Sequence, residues 1–193
     1  MGSRVARLWR ASTLRRPVLR LVVGVVLMTP ALVGLARNDA TGSAELDPAI
    51  TVSTRVSARF AHDYGIPLEL AHRIHVSAVA EGIAPGIAFR LIEVESGFRR
   101  DVISVAGAIG YTQLLPTTAR WISPGTDRQA LFDPDTNLRI GFRYLRYLLD
   151  RYDGDARLAL TAYNRGPGTV DRLRSRGHDP ENGYAARILR LRV

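Results

Sequence analysis

Residues 85–97 read Pro-Gly-Ile-Ala-Phe-Arg-Leu-Ile-Glu-Val-Glu-Ser-Gly. Apolar residues recur in this stretch at spacings of three and four, which predicts an amphipathic helix over Pro85–Ser96. Pro85 suits the first helical position, where a missing amide hydrogen is harmless, and Gly97 suits the position just past the end. The stretch therefore predicts a short helix with both ends marked by sequence.

The two glutamates of this helix fall on different faces. Glu95 follows Leu91 by four residues and lies on the apolar side, whereas Glu93 is turned from it by about 200°. A carboxylate among apolar neighbours loses hydration in its charged form, so its pKa rises and the group stays protonated near neutral pH. Glu95 is thus a candidate general acid. The alternative is a side chain at the helix end that points into water or pairs with Arg99 or Arg100.

The rest of the chain from Val56 onward shows the same spacing, and glycines and prolines divide it into short segments. This pattern predicts an all-α domain. Asp133-Pro134 begins the most regular segment, whose apolar stripe indicates a core helix. No repeat with a period of roughly 20 to 50 residues is present, which argues against a solenoid. Helices are predicted at 57–62, 67–81, 85–96, 117–122, 134–152, 155–164 and 184–191.

The N-terminus has a different character from this domain. Arginines without acidic neighbours precede an uncharged apolar run over residues 21–36, a pattern typical of an export signal whose positive end stays in the cytoplasm. We interpret residues 1–37 as a basic flank with a hydrophobic targeting or anchor helix. Small residues at 34–36 fit cleavage, while a run close to the roughly 20 residues of a membrane span fits a retained anchor, which we favour. Residues 38–54 are predicted to be a flexible linker and residues 55–193 the globular domain, exported to the cell-wall side.

Composition excludes several classes of function. The net charge is +9, but six arginines precede Ala36 and the remaining charges of both signs are interspersed, so no nucleic-acid partner is expected. The chain contains no cysteine, which rules out disulfides and zinc-thiolate sites. Of the four histidines only His72 and His75 are close together, without an acidic ligand at a matching helical spacing. No metal site is expected.

Three further segments stand in a fixed order after Glu95-Ser96-Gly97-Phe98. Residues 107–116 read Gly-Ala-Ile-Gly-Tyr-Thr-Gln-Leu-Leu-Pro, and residues 162–168 read Ala-Tyr-Asn-Arg-Gly-Pro-Gly. Between them lies the helix pattern formed by Asn137, Gly141, Tyr144 and Leu145. Together these segments resemble the catalytic-domain family of soluble lytic transglycosylases (SLT), over roughly residues 66–191. The resemblance implies a goose-lysozyme-like helical fold.

The resemblance also implies a substrate and a mechanism. The substrate would be the peptidoglycan glycan strand, cut between N-acetylmuramic acid and N-acetylglucosamine without water, leaving a 1,6-anhydromuramic end. Glu95 would act first as general acid and then as base, with no cofactor. Other implied partners are the membrane, through the N-terminal segment, and envelope machinery. The implied substrate-binding residues are Ser96, Thr112, Gln113, Tyr163, Asn164 and Tyr184.

Several of these residues have a structural alternative. Gln113 offers a donor and an acceptor to a sugar, but a glutamine that caps a loop would look the same. By resemblance the Tyr163 hydroxyl lies beside the catalytic carboxyl, although an ordinary core tyrosine is possible. Asn164 stands at a helix stop, where it has a conformational role as well. Gly107 and Gly110 permit close backbone approach, either to a sugar or within a turn.

Two other functions remain open. A hydrolytic muramidase on the same fold needs a group that positions water, and Asp101 is the nearest acidic candidate downstream. A non-catalytic glycan-binding module in an envelope machine would bind the wall without releasing product. Tyr111-Thr112 stands where the family often has Leu-Met, which leaves the subsite preference open.

Overall fold

A computed structural model of the protein describes residues 48–190, with side chains from Val52 onward. Within that part the chain is all-helical, apart from two isolated bridges in the loop before the fourth helix. This confirms the predicted all-α class of the domain. The helices are α1 (Pro48–Tyr64), α2 (Leu68–Ala80), α3 (Pro85–Ser96), α4 (Pro116–Ile122), α5 (Pro134–Arg151), α6 (Ala156–Arg165), α7 (Pro167–Ser175) and α8 (Tyr184–Leu189), with a short 3-10 helix at Gln129–Phe132.

The helix α5 forms the centre of the core. Its N-terminus is capped by the Asp133 carboxylate, which accepts a hydrogen bond of 2.9 Å from the Thr136 amide. The predicted stripe is fully buried at Leu138, Phe142 and Leu145, and α5 contacts α2, α4 and α6. Each such buried side chain stabilises the fold by about 1.5–3 kcal/mol. The capped proline start and the apolar stripe together explain why this helix was predictable.

The helices differ from the prediction in two places. α1 begins at Pro48, so the end of the predicted 38–54 linker is helical, and the helix runs beyond the expected 57–62. The inward face of α1 contains Ser57, which is fully buried. Its hydroxyl donates to the Ser53 carbonyl at 2.8 Å, so the buried polar group is satisfied. A serine on a core face weakens the apolar pattern. The other is α7, a helix that the sequence analysis did not predict and that begins at Pro167, immediately after Gly166.

The predicted targeting segment at residues 1–37 and the linker residues before Pro48 lie outside the described residues. Across residues 48–190, we find no helix with the length and apolarity that a membrane crossing requires.

The loop between α3 and α4 is fastened to α5 by Asn137. Its Nδ2 donates to the carbonyl oxygens of Ile109 and Leu131 at 2.9 and 3.0 Å, and its Oδ1 accepts from the Thr112 amide at 3.0 Å. Gly110 lies against this amide with φ of 76°, and a β-carbon there would clash with the Asn137 side chain. The close approach that this glycine permits is therefore internal to the protein. It fixes the loop that carries Gln113.

Packing also brings three distant chain segments together. α3 contacts α8, and α8 contacts α6. As a result, the C-terminal end of α3, the C-terminal end of α6 and the start of α8 meet on one side of the domain. Glu95, Tyr163 and Tyr184 stand at these three positions.

Candidate active site

Glu95 is partly buried at the end of α3, on the face that the apolar spacing predicts. Burial is the largest influence on its carboxyl and raises its pKa. A hydrogen bond from the Tyr184 hydroxyl to Glu95 Oε1 and the charge of Arg187 act in the opposite direction with smaller effect. The geometry fits a carboxyl that gives up a proton and is then held as the anion.

Tyr184 reaches Glu95 because the loop before α8 is braced. Glu181 Oε1 accepts hydrogen bonds from the backbone amides of Asn182 and Gly183, at 2.9 and 2.8 Å. The other carboxylate oxygen accepts from Arg157 Nε at 2.9 Å. Gly183 then turns the chain into α8 with φ of 86°. This loop sets the position of the hydroxyl that contacts the candidate acid.

Glu95 lines a cavity of about 490 Å³. This volume is within the range of about 300–1,000 Å³ that is usual for ligand sites. Three of the predicted residues, Gln113, Tyr163 and Asn164, line the same cavity. Among the described residues that line it, Glu95 is the only acidic one. Ten other lining residues were not among the predicted site residues, and they include Ser104, Leu115, Thr118, Tyr144, Arg165 and Pro167.

Tyr163 lies close enough to Glu95 for the two groups to interact electrostatically, but its hydroxyl bonds elsewhere. Its hydroxyl donates to the Thr112 carbonyl at 2.9 Å, whereas the hydroxyl bonded to Glu95 belongs to Tyr184. Burial raises the pKa of Tyr163 well above its ordinary value, and the nearby Glu95 charge raises it further. Tyr163 therefore lines the cavity and supports the Thr112 loop, while Tyr184 is the direct partner of the carboxyl.

Gln113 caps its own loop and also lines the cavity. Its φ of 46° is unusual for a residue with a side chain, and its Nε2 donates to the carbonyls of Val102 and Gly110, both at 3.1 Å. The amide thus caps the loop on which it stands. The residue still lines the cavity, and its Oε1 accepts no hydrogen bond from the described residues.

Ser96 and Thr112 were predicted to contact the substrate, and neither is among the residues that line the cavity around Glu95. Ser96 is 3% exposed and its hydroxyl donates to the Ile92 carbonyl, because one residue beyond Glu95 the helix has rotated its side chain into the core. Thr112 is fully buried and donates to Asn137 Oδ1 at 2.8 Å. It fits against Gly141, where a β-carbon would clash with its side chain. Both residues have structural roles.

Asn164 is exposed at the cavity edge. Its Oδ1 accepts a hydrogen bond of 2.9 Å from Asn182 Nδ2, which ties the end of α6 to the loop before α8. The predicted C-terminal position is correct, since α6 ends at Arg165. Asn164 thus connects the two segments that carry Tyr163 and Tyr184.

The cavity residues that were not predicted differ in whether the sequence contains a signal for them. Tyr144 and Arg165 lie inside motifs already quoted, and burial raises the pKa of Tyr144 to about 12. Arg165 Nη1 donates to the Pro180 carbonyl at 2.7 Å. Ser104 has no periodic signal, because it lies in the irregular loop where its Oγ accepts from the Ala108 amide at 3.0 Å.

Asp101, the candidate water-positioning residue of the muramidase alternative, is exposed and is not part of the cavity wall. Between residues 48 and 190, no group of three or more potential metal-binding side chains converges. The arrangement is a single acid in a cleft.

The comparisons with known proteins point to one family. Residues 73–183 match the family described as Transglycosylase SLT domain. The soluble lytic murein transglycosylase of Escherichia coli (strain K12) is 34% identical over 98 residues, which are 46% of this chain and 15% of that protein. Membrane-bound lytic murein transglycosylase C of Actinobacillus pleuropneumoniae serotype 5b (strain L20) is 33% identical over 103 residues, 46% of this chain and 28% of that protein. The chain thus matches less than a third of either relative.

Two solved structures resemble the domain. An inactive mutant of lytic transglycosylase Slt from Pseudomonas aeruginosa, in which glutamine replaces a glutamate, gives a TM-score of 0.53 at 28% identity, covering 60% of this chain and 21% of that one. The complex of a 70-kDa soluble lytic transglycosylase with bulgecin A gives 0.57 at 25% identity, covering 73% and 26%. Because the family match spans more than half of the chain and includes Glu95, Gln113 and Tyr163, this protein belongs to the Transglycosylase SLT domain family.

Proposed function

We propose that the protein is a peptidoglycan lytic transglycosylase. It cleaves the β-1,4 bond between N-acetylmuramic acid and N-acetylglucosamine and leaves 1,6-anhydro-N-acetylmuramic ends. The observation that carries the proposal is the environment of Glu95, whose pKa is raised by burial at the wall of a cavity and whose carboxyl is held by Tyr184. The relatives reported above, which are named as transglycosylases acting on murein, support the same substrate class.

Glu95 performs two proton transfers in this reaction. As the acid it protonates the glycosidic oxygen while the bond from that oxygen to C1 of the muramic residue breaks. As the resulting carboxylate it removes the proton from the C6 hydroxyl of the same residue, whose oxygen then bonds to C1. The hydrogen bond from Tyr184 stabilises the carboxylate between these two steps, since bonds to a charged acceptor are the stronger ones. Glu95 ends protonated and ready for another cycle.

The chemistry of the cavity wall favours this route over hydrolysis. Hydrolytic glycosidases usually flank the bond with a second carboxyl that activates water or attacks the sugar. Glu95 has no acidic companion among the described lining residues, and Asp101 lies elsewhere. Intramolecular attack by the C6 hydroxyl needs no second carboxyl, and the acetamido group of the substrate supplies stabilisation at C1.

We also propose that the domain works outside the cytoplasm, on the cell wall. If residues 1–37 are retained, they would anchor the domain in the membrane. If they are cleaved, the domain would be released to the cell wall. The proposed partner is envelope machinery. The support is the basic flank and apolar run of the sequence. A relative named as membrane-bound is consistent with it.

Digestion of purified sacculi, with the products resolved by mass, tests the function. The native protein is expected to release anhydro-muropeptides, which are lighter than hydrolysed ones by one water. Glu95→Gln is expected to release none while keeping its helical circular dichroism, and Asp101→Asn is the matched control that keeps activity. Hydrated products that disappear in Asp101→Asn would identify a muramidase instead. Binding to sacculi without any product from the native protein would identify a non-catalytic module.

A further inference from the structure

A second cavity, of about 480 Å³, adjoins the active-site cavity. The two share Thr118, Tyr144 and Pro167 in their walls. The second cavity is more open to solvent and has Trp121 and Tyr147 on its wall. A ligand that extends beyond the space around Glu95 on this side meets that wall next.

A row of aromatic rings connects the two cavities. The Tyr163 and Tyr144 centroids are 5.2 Å apart, and the Tyr144 and Tyr147 rings lie nearly parallel at 6.5 Å. Trp121 meets Tyr147 edge-on at 4.7 Å and 84°. Trp121 is 57% exposed at the outer end of the row. A large exposed ring beside a cleft offers apolar surface whose burial by a ligand is favourable.

The polar groups of the second cavity indicate the class of its ligand. Arg151 already pairs with the Asp171 carboxylate, and its Nη1 donates to the Tyr147 hydroxyl at 3.3 Å. Its charge is therefore compensated within the protein, which argues against an anionic ligand. Thr117 and Thr118 lie on the same wall. Hydroxyls around an aromatic face suit a neutral ring with an apolar side and a polar rim.

We propose that the second cavity is a distal saccharide subsite, in which the Trp121 indole stacks against the apolar face of a pyranose ring of the same glycan strand. The inference rests on the proposed function, because it takes the strand bound at Glu95 as the occupant. It assigns to Trp121 a role in selecting strands long enough to reach it. Trp121 does not take part in the bond cleavage.

Tryptophan fluorescence tests the subsite directly. The chain has two tryptophans, Trp9 and Trp121, so Trp9→Phe leaves Trp121 as the sole reporter in the full-length protein. Glu95→Gln in the same protein prevents turnover. Titration with a graded series of β-1,4-linked N-acetylglucosamine oligomers is expected to change the Trp121 emission only for the longer members. Calorimetry on the same samples reports binding of every length.

Substitution of Trp121 supplies the second measurement. Trp121→Ala is expected to weaken binding of the long oligomers on the order of tenfold, as loss of one stacking contact would, and to leave the short ones unchanged. Trp121→Phe should retain most of the affinity. Val79→Ala is the matched control, since Val79 is 55% exposed and lines neither cavity.

Long oligomers that bind by calorimetry without changing the Trp121 emission would overturn the proposal. Equal affinities of the native and Trp121→Ala proteins for every length would also overturn it, as would absence of binding at any length. The catalytic proposal fails by a different observation, namely product release by Glu95→Gln from sacculi. The two failures are therefore distinguishable.

Discussion

Glu93 and Glu95 stand two residues apart on α3 and occupy different surroundings. Glu93 forms an ion pair of 3.0 Å with Arg90 on the same helix, where both side chains remain partly exposed. Glu95 faces the cavity, and its hydrogen-bond partner is the hydroxyl of Tyr184, which is 89 positions away along the chain. One carboxylate is neutralised by a local cation, while the other is desolvated by packing between distant segments.

This difference shows how a helix face determines the chemistry of a side chain. A rotation of about 200° between the two positions places one carboxyl beside a guanidinium and the other among apolar groups. Burial then raises the pKa of Glu95, and a carboxyl that stays protonated is what acid catalysis requires. The same residue type therefore has different electrostatic surroundings on the two sides of one helix.

The largest expected effect is on catalysis when glutamine replaces each glutamate, because only Glu95 is proposed to donate a proton. Glu95→Gln should lower the rate of product release from sacculi by at least about 10²–10⁴-fold, the usual contribution of general acid–base catalysis. Glu93→Gln should change the rate by less than about twofold, because an ion pair with partial exposure contributes little. The rates are measured at equal protein concentration.

Circular dichroism and thermal unfolding of both variants provide the control for folding. Comparable losses of rate in the two variants would contradict the comparison, because they would show that the two carboxyls do not differ in their importance for catalysis.

A smaller effect should separate the two tyrosines near Glu95. Tyr184→Phe removes a hydrogen bond that lowers the pKa of Glu95, so this pKa should rise and the alkaline limb of the pH–rate profile should move to higher pH. The maximal rate should fall by about 10- to 100-fold, since hydrogen bonds to charged groups contribute about 1.5–3 kcal/mol. In Tyr163→Phe the lost bond goes to the Thr112 carbonyl, so the alkaline limb should stay in place.

The pH–rate profiles of the native protein and the two phenylalanine variants check this expectation. An identical displacement in both variants would mean that Tyr184 has no special relation to the carboxyl.

The sequence was sufficient to predict the helix face on which Glu95 lies, but not that Tyr184 is its hydrogen-bond partner. The position of Glu95 follows from the spacing within one helix. The contact with Tyr184 depends instead on the loop of residues 176–183, which is held by Glu181 and by Arg157 from another helix. Such a loop has no periodicity from which its path can be predicted. For the same reason the resemblance assigned the neighbouring hydroxyl to Tyr163.

Errors in the fold have a similar origin. Helices α3 to α6 begin at or next to prolines or aspartates and present apolar stripes, so their bounds were predictable within about two residues. The start of α1 was not predicted, because Ser57 stands on its core face in place of an apolar residue. The Ser57 hydroxyl is satisfied by a hydrogen bond within the helix. Thr112 was assigned to the substrate because its motif was visible, whereas the space beside Gly141 that buries it depends on packing.

The smallest expected effect is on stability, and it has opposite signs for the two glutamates at neutral pH. The pKa of Glu95 is raised in the folded state, so its contribution to stability is fully present below the unfolded value and is lost as the pH rises through the folded value. Glu95→Gln removes this loss and should raise the Tm at pH 7 but not below about pH 4. Glu93→Gln should lower stability by up to about 1 kcal/mol through loss of the Arg90 pair. Thermal unfolding across the pH range checks both.

A Tm of Glu95→Gln that lies below the native value at pH 7 would contradict the account of burial. A difference from the native protein that is the same at every pH would contradict it as well.

The titration of the Glu95 carboxyl by carbon NMR is the most direct measurement of the protonated acid. Protein labelled at the glutamate side-chain carboxyl carbons gives one resonance per glutamate, and the one absent from Glu95→Gln identifies residue 95. We predict that this resonance titrates with a midpoint above 4.5, the ordinary value for a glutamate. A midpoint at or below 4.5 would contradict the assignment of Glu95 as a buried general acid.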